Sequence, residues 1–422
     1  MTEKKKIFVI ADHPFAPSGV GTQTKYIIEA LLKTGRYKFV CFGGAVKHQD
    51  YRPQKTDEWG DDLVIHPVDG YGTQEQVRSI LWMEKPDALW FMTDPRFYGW
   101  LWDMENEIRS LVPMIYYHVW DNYPYPKFNK NYYNSNDLIV SISKVTHDIV
   151  NTVSPDVENI YLPHAVNTDI FKKYEEQDVN NVIFSTLPPK DHKRFRFFWN
   201  NRNARRKMSG SVLWWFNEWA EKVGPENVQL IMHTDPKDPN GQDLEAIIQE
   251  LGCTDGRIVL SKNKYNDLSQ LAMMYNICDC VVNISDAEGF GLATLEGLAC
   301  EKPIIVNMTG GLQEQVKDEE GNWFGVGIEP ASRAIIGSQE VPYIYEDRVS
   351  KEDFHHALTT IYTMDQEERK KLGLEGREHV LKNYNFENYT SKWVEIFDNA
   401  IEKHGSWDTR QNYQAWELRE IV

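Results

Sequence analysis

The sequence has few cysteines, no long apolar run and no common metal-binding motif, and each absence excludes a class of protein. Its 422 residues include five cysteines, a small and odd number that suits a reducing compartment better than a disulfide framework. No stretch approaches the roughly 18 consecutive apolar residues of a spanning helix. The first apolar run, Ile7 to Ala11, is too short for the core of a signal peptide. We therefore expect a cytoplasmic protein with no stable membrane insertion.

Several catalytic motifs are also missing. The chain contains no His-x-x-x-His pair and no Asp-x-Asp triplet, both of which bind metals in other enzymes. It contains no Gly-x-Ser-x-Gly nucleophile elbow either. A zinc enzyme or a serine hydrolase is therefore not expected, and we predict neither a metal nor a cofactor.

Charge and length restrict the remaining classes. The formal net charge is -17, and a field of that sign repels nucleic acid and anionic membranes from most of the surface. The hydrophobic fraction of 41% is that of a folded globular protein. The length exceeds the roughly 250 to 300 residues at which one core usually divides, so we expect two domains.

Short apolar runs alternate with helical patterns in both halves of the chain, which predicts two parallel sheets covered by helices. A polar, acidic stretch between Phe171 and Pro189 indicates a linker. We predict an α/β protein with two doubly wound, Rossmann-like domains that face a central cleft. The first covers residues 1–178 and is completed by a C-terminal helix, 390–422. The second covers residues 179–389.

The segment from Ser285 to Leu298 carries the clearest chemical signal. It follows a predicted strand and contains two glutamates, Glu288 and Glu296, eight positions apart. If a helix begins near Gly291, the two carboxylates address opposite ends of one ligand, and the helix N-terminus points between them. Free N–H groups and the positive helix end suit a diphosphate. As a bare spacing the pair is weak, because two solvated glutamates beside turn glycines would look the same.

This strand, loop and helix, continued by Lys302 to Val306 and then by Thr309-Gly310-Gly311, resemble the retaining glycosyltransferases of family 4, which have the GT-B fold. The resemblance implies that Glu288 contacts the hydroxyls of the donor sugar and Glu296 the ribose of the nucleoside. It also implies that backbone groups around Phe290, Gly291 and Leu292 hold phosphate.

An Arg and a Lys five residues apart follow the first strand of the second domain in that family, and Arg202 and Lys207 keep this spacing. They are expected to neutralise the leaving diphosphate. Asn201 departs from the family, which has glycine there. Between Lys190 and Lys207 eight basic residues alternate with aromatic residues. This cluster is either a solvated basic face or a contact for an anionic acceptor such as nucleic acid.

In the first domain, Gly19 and Gly21 resemble the family's glycine loop near the donor phosphate and the acceptor. Thr24 stands where a nicotinamide-binding fingerprint needs a third glycine, which disfavours an oxidoreductase. His118 resembles the histidine that bonds the donor sugar, although a structural histidine is an equal alternative. Asp121 either contacts the acceptor or caps the following turn.

Together these features predict a hexosyl or pentosyl glycosyltransferase that moves a sugar from a nucleoside diphosphate to an acceptor hydroxyl, with retention and without metal. The acceptor is open: a glycan, a small molecule or modified DNA. Two alternatives are the same chemistry on hydroxymethylated DNA bases and a nucleotide-sugar epimerase of the same fold. Replacement of Glu288 or Lys207 by alanine is expected to abolish transfer and to leave the melting temperature nearly unchanged.

Overall fold

The computed structural model describes residues 3–261 and 267–417. Contacts divide the chain into two units. The first contains Met1–His164, Gly337–Ile344 and Glu387–Val422, and the second contains Ala165–Ile336 and Tyr345–Phe386. Contacts thus place residues after His164 with the second unit, whereas the sequence suggests a boundary at residue 178. The domain boundaries and the cleft between the domains stay predictions.

The first unit contains an eight-stranded sheet in the order β3-β4-β2-β1-β5-β6-β7-β8. All its neighbours are parallel except β3 and β4 at one edge. The strands are β1 (Lys5–Asp12), β2 (Tyr37–Gly44), β3 (Gln54–Lys55), β4 (Leu63–Pro67), β5 (Ala88–Thr93), β6 (Met114–His118), β7 (Leu138–Ser141) and β8 (Asn159–Tyr161).

The second unit contains a six-stranded, wholly parallel sheet in the order β11-β10-β9-β12-β13-β14. Its strands are β9 (Phe195–Asn200), β10 (Val228–His233), β11 (Ile258–Ser261), β12 (Cys280–Asn283), β13 (Ile304–Asn307) and β14 (Gly325–Ile328). A separate two-stranded sheet pairs β15 (Ser332–Ile336) with β16 (Ile344–Arg348). The predicted α/β class with parallel sheets is confirmed.

Helices connect the strands, as a parallel sheet requires. Those before the second sheet are α1 (Gly19–Lys33), α2 (Gln74–Glu84), α3 (Gly99–Trp102), α4 (Glu105–Arg109), α5 (Lys130–Asn134), α6 (Lys144–Val153) and α7 (Glu176–Thr186). Those that follow are α8 (Ser209–Val223), α9 (Leu244–Glu250), α10 (Leu268–Asn276), α11 (Leu292–Ala299), α12 (Leu312–Val316), α13 (Lys351–Thr363), α14 (Gln366–Asn383) and α15 (Phe386–His404). Within the described ranges, no helix is both long and apolar enough to cross a bilayer.

Both cores consist of strands that are buried on their two faces. In the first unit all six residues of β5 are buried, and Phe91 stacks on Tyr116 with ring centroids 4.8 Å apart. In the second unit Phe197 and Trp199 of β9 are fully buried. Continuous apolar strands of this kind are typical of parallel sheets covered by helices, which is why the sequence pattern locates them well.

The predicted C-terminal helix, 390–422, is wrong beyond His404. Helix α15 ends there, and Gly405 follows in the left-handed region at φ +62°. A Cβ on Gly405 would lie 1.9 Å from the carbonyl oxygen of Thr409, so the chain turns sharply where glycine permits it. Residues 406–417 continue without an α-helix, and 418–422 lie outside the described residues. Helix α15 itself packs in the first unit, where Trp393 contacts Tyr117 edge to face.

Candidate functional site

Two loops leave the carboxyl edge of the second sheet side by side. Strands β9 and β12 are parallel neighbours, with Phe198 in register with Val281. The strand order reverses between them, and this switch point is where doubly wound sheets bind ligands. The N–H of Asp286, after β12, donates to the carbonyl of Arg206, after β9, at 2.8 Å. The predicted Glu288 loop and the predicted basic loop therefore meet.

Helix α11 begins where the sequence predicts it. Gly291 is its N-cap residue, with φ +92°, and no side chain caps the helix start. The first turn contains no acidic residue, so its N–H groups and the positive end of the helix dipole are not neutralised from within the helix. Leu292 is its first residue, and Glu296 lies in its second turn. This helix start can bind a phosphate group.

Glycines 310 and 311 hold the loop before α11 in place. A Cβ on Gly310 would lie 1.8 Å from the carbonyl oxygen of Glu288, and one on Gly311 would lie 2.7 Å from Cα of Phe290. The N–H of Gly311 also donates to the carbonyl of Glu288 at 3.1 Å. No larger residue fits here without moving the loop. The Thr309-Gly310-Gly311 sequence thus serves close backbone packing.

The Phe290 side chain faces the core of this unit. It is 3% exposed, and its ring lies 5.8 Å from that of Tyr384. Its carbonyl accepts a hydrogen bond from Nε2 of Gln315 at 2.7 Å. Phe290 therefore anchors the loop by its side chain, and only its backbone can meet a ligand. The predicted phosphate contacts of Phe290, Gly291 and Leu292 stay predictions.

Glu288 and Lys207 form a buried ion pair. Glu288 is 8% exposed, and its Oε2 contacts Nζ of Lys207, also 8% exposed. Asn283 donates to the same oxygen at 3.4 Å and Ser285 at 3.5 Å. Burial alone would raise the pKa of Glu288, but the charges of Lys207 and Arg206 outweigh it and hold that pKa below its usual range. The carboxylate is therefore fixed and ionised.

This pair changes the expectation for alanine variants. Removal of one partner takes away the nearest opposite charge of the other buried group, which costs about 3–5 kcal/mol. We now expect Glu288→Ala and Lys207→Ala to lower the melting temperature, in contrast with the expectation from the sequence.

Arg202 and Arg206 have different surroundings. Arg202 is largely exposed and forms a bidentate pair with Asp238, with Nε 2.6 Å from Oδ2. Arg206 donates to the carbonyl of Ala287, and its Nη1 lies 3.9 Å from Oε1 of Glu288. Of the two, Arg206 contacts the Glu288 loop. The spacing argument did not select Arg206, although it stands next to Lys207 in a run of three cations.

Glu296 forms no ion pair within the part of the chain that the structure describes. Its Oε2 accepts a hydrogen bond from the hydroxyl of Tyr275 at 2.6 Å. Burial raises the pKa of Glu296 to about 7, and the Tyr275 hydrogen bond opposes that rise. The two glutamates of the motif therefore differ in charge: Glu288 is ionised at neutral pH, and Glu296 is half protonated.

The small hairpin ties the two loops together, a feature that the sequence pattern did not predict. Glu346 of β16 pairs with Arg205, whose Nη1 lies 2.9 Å from Oε2. The N–H of Asp347 donates to the carbonyl of Asp286 at 2.9 Å. Burial, and then the charge of Glu346, raise the pKa of Asp286 to about 7. The hairpin thus supports the site from one side.

The basic and aromatic cluster at 190–207 is not a continuous surface. Arg194 and Arg196 are buried, and Arg196 donates to the carbonyls of Asp191 at 2.6 Å and His192 at 3.0 Å. The interleaved aromatic residues Phe197, Phe198 and Trp199 are fully buried in the core. The reading as a nucleic-acid contact is therefore wrong for this part of the cluster, because its aromatic faces cannot reach bases.

The predicted residues of the first unit lie near the switch point of its own sheet, where order reverses between β1 and β5. Gly19 begins α1, and the hydroxyl of Ser18 accepts from the N–H of Gly21 at 3.0 Å. A Cβ on Gly21 would lie 2.7 Å from the carbonyl oxygen of Ala16, so close backbone packing requires this glycine. Ligand binding by Gly19 and Gly21 stays a prediction.

His118 ends β6 and is fully buried. Its Nε2 lies 2.9 Å from the hydroxyl of Tyr133, and its ring is 5.0 Å from that of Tyr116. Burial lowers the pKa of His118 to about 3, so the imidazole is neutral. Asp121 follows the strand and is partly exposed. A contact of His118 with sugar, or of Asp121 with the acceptor, stays a prediction.

Comparisons with known proteins agree with this picture. Residues 223–379, which include both glutamates of the motif, match the family model described as "Glycosyl transferases group 1". A D-inositol 3-phosphate glycosyltransferase 2 of Catenulispora acidiphila is 30% identical over 106 residues, which are 25% of this chain and 24% of that protein. An uncharacterized glycosyltransferase of Methanocaldococcus jannaschii is 43% identical over 49 residues, which are 12% of this chain and 14% of the length of that protein. The matches therefore span a quarter or less of these relatives.

Solved structures match nearly the whole chain. A sucrose-phosphate synthase from Thermosynechococcus elongatus superposes with a TM-score of 0.73 at 17% identity and covers 95% of this chain and 100% of its own. The Anabaena protein HepE, in complex with UDP and glucose, gives a TM-score of 0.69 at 13% identity and covers 94% and 100%. At such identities the likeness shows the fold, and the GT-B class predicted from the sequence is confirmed.

Proposed function

With the match of residues 223–379 to group 1 glycosyltransferases as the premise, we propose that this chain transfers a hexosyl or pentosyl group from a nucleoside diphosphate to an acceptor hydroxyl. The buried Glu288–Lys207 pair beside the start of α11 carries this proposal. It combines a fixed carboxylate, a cation and an uncapped helix N-terminus at the switch point of the sheet. The carboxylate suits the hydroxyls of a sugar, and the cation and the helix N-terminus suit the diphosphate attached to it.

In this mechanism the carboxylate of Glu288 accepts hydrogen bonds from sugar hydroxyls and fixes the position of the ring. Lys207, Arg202 and the start of α11 bind the diphosphate and stabilise the negative charge that develops on it as the glycosidic bond breaks. Arg206, at the edge of the Glu288 loop, adds a further cation. We propose that these groups supply the positive charge that a metal supplies elsewhere, so that transfer is metal-independent.

We further propose that the reaction proceeds with retention, as the family 4 resemblance implies. The bond between the anomeric carbon and the diphosphate oxygen breaks, and the acceptor oxygen attacks the same face. The leaving phosphate oxygen takes the acceptor proton. No side chain of the enzyme then needs to act as a nucleophile. The neutral, buried His118 is not required for proton transfer in this scheme.

The donor is proposed to be a uridine or related nucleoside diphosphate sugar, because a protein of the same fold, HepE, has been solved with UDP-glucose. For the acceptor we favour a glycan or small molecule. DNA is disfavoured because Phe197, Phe198 and Trp199, three of the aromatic residues between Lys190 and Lys207, are buried. The five free thiols, all buried, suit a reducing compartment, and a cytoplasmic location stays a prediction.

Product analysis tests the proposal. The full chain is incubated with the donor and a panel of glycan and small-molecule acceptors, in the presence of EDTA, and products are identified by mass spectrometry and by the NMR coupling of the anomeric proton. We expect an acceptor enlarged by one sugar, with the donor's anomeric configuration. A change of the donor sugar without any acceptor would instead indicate an epimerase, and inversion or loss of activity in EDTA would refute the corresponding part of the proposal.

A further inference from the structure

A chain of hydrogen bonds in the second unit ends on Glu296. Nδ2 of Asn200 donates to the hydroxyl of Tyr275 at 2.9 Å, and this hydroxyl donates to Oε2 of Glu296 at 2.6 Å. Asn200 is the last residue of β9, Tyr275 lies in α10 and Glu296 lies in α11. The hydrogen-bond chain thus links three separate elements, and Tyr275 is the member that contacts the carboxylate.

The Tyr275 ring cannot turn away from this carboxylate. It is fully buried, with its centroid 4.9 Å from that of Phe198 and 5.9 Å from that of Phe171. Within the described residues, Tyr275 is the only hydrogen-bond partner of the Glu296 side chain. Oε1 of Glu296 therefore keeps its acceptor capacity for a ligand, while Oε2 is fixed by the protein.

We propose that Tyr275 and Asn200 are positioning residues, which hold the Glu296 carboxylate so that it accepts hydrogen bonds from the ribose hydroxyls of the donor. The inference rests on the proposed function, because only a nucleotide donor brings a ribose to Glu296. Since Asn200 donates to Tyr275 and Tyr275 to Glu296, each bond polarises the next in the direction that favours a negative carboxylate.

The proposed role has a consequence for pH. Burial raises the pKa of Glu296 to about 7, and among residues 3–261 and 267–417 Tyr275 is the one side chain that opposes the rise. Three charged groups lie on neighbouring segments: Glu301, Lys302 and Arg377. They influence the pKa of the buried Cys300 thiol, and none of them shifts the pKa of Glu296. An ionised carboxylate accepts two hydroxyl protons, whereas a protonated one accepts less well. Nucleotide binding should therefore release a proton and tighten as pH rises through 7.

The test is a calorimetric titration of the full chain with UDP, GDP, ADP and CDP between pH 5.5 and 9, continued with the nucleotide that binds wild type most tightly. In Tyr275→Phe we expect the pH midpoint of binding to move upward and affinity at pH 7 to fall about tenfold, the effect of one charge-assisted hydrogen bond. Asn200→Ala should shift the midpoint in the same direction by less. In transfer assays of both variants, the KM for the nucleotide-sugar donor should rise and kcat should stay unchanged.

Two reference variants make the result decisive. Glu296→Gln shows the pH dependence that comes from the nucleotide's own phosphate alone, and it should lack the additional pH dependence that wild type shows. Tyr362→Phe removes a hydroxyl from a tyrosine that packs on Trp219, at another place in the same unit, and should bind as wild type does.

A Tyr275→Phe profile that overlays wild type, or an affinity loss that is equal at all pH values, would overturn the positioning role while wild-type binding and transfer kept the proposed function intact. If no nucleoside diphosphate bound wild type, both proposals would fail together.

Discussion

Replacement of Lys207 by methionine removes the cation from the buried Glu288 carboxylate and retains most of the side-chain volume. The loss of one partner from a buried pair typically costs about 3–5 kcal/mol. Arg206 stays 3.9 Å from Glu288, and Asn283 and Ser285 still donate to it. We therefore expect the lower end, about 3 kcal/mol, which corresponds to a fall in Tm of roughly 6–12 °C for a unit of this size.

The effect should depend on pH with a definite sign. In wild type the pKa of Glu288 lies below its usual value, so the stabilisation is present above that value and is lost as pH falls. Burial is the largest influence on the pKa of Glu288 and the charge of Lys207 is the largest one that opposes it, so we expect Lys207→Met to raise this pKa and the penalty to grow as pH rises. The difference in Tm between the two proteins should be large at pH 8 and small at pH 4.

Differential scanning calorimetry at these two pH values measures the difference. Lys370→Met is the matched control, because Lys370 pairs with Glu367 at an exposed position where such pairs contribute little. The double variant Lys207→Met/Glu288→Gln should recover part of the lost stability, since it leaves no buried charge unpaired. A Tm difference that is equal at pH 4 and pH 8, or strictly additive effects in the double variant, would refute the reasoning.

Further variants probe other parts of the site. Gly311→Ala should weaken nucleotide binding at least tenfold in calorimetric titrations, because its methyl group displaces the Glu288 loop. Gly321→Ala has open space around it and should bind the nucleotide normally, although its φ of +92° strains the backbone at that turn. Arg202→Ala should lower kcat about 100-fold, and Arg206→Ala should lower it about tenfold. If Arg202→Ala keeps the kcat of wild type, the main role in binding the diphosphate belongs to Arg206. Glu296→Gln should raise the free energy of unfolding by about 1–3 kcal/mol at pH 8 and leave it unchanged at pH 4, because a buried carboxylate with a pKa of about 7 is costly only when it is ionised. Chemical denaturation at the two pH values measures this difference.

The strands of both sheets are readable from the sequence because parallel strands buried on two faces are continuous apolar runs. The start of α11 is equally readable, since a strand, two glycines and a helical pattern follow one another without a gap. These local signals place Glu288 and Glu296 in the right structure. They carry no information on which charged groups surround each of them.

Those surroundings depend on strand order, which joins distant parts of the chain. Lys207 and Glu288 are 81 positions apart and meet because β12 pairs with β9. Tyr275 has the helical spacing of a core residue, and its hydroxyl contact with Glu296 has no sequence pattern of its own. Likewise, a five-residue spacing between Arg202 and Lys207 does not predict that Arg202 turns toward Asp238.

The end of the last helix and the β15–β16 hairpin were missed for a different reason. Gly405 alone ends α15, by its left-handed backbone conformation. The long helical pattern before it predicts that the helix continues, and one glycine does not change that prediction. The hairpin strands are short and partly exposed, so they lack the apolar run that identifies the other strands.

Thermal-shift binding with a panel of UDP, GDP, ADP and dTDP sugars, on wild type and Glu288→Gln, tests most directly whether the second unit holds a sugar nucleotide. We predict that at least one sugar nucleotide raises the Tm of wild type by several degrees. Glu288→Gln should retain the shift given by the matching nucleoside diphosphate and lose the additional shift given by its sugar. No shift with any member of the panel at millimolar concentration, or an unchanged sugar-dependent shift in Glu288→Gln, would contradict the proposal.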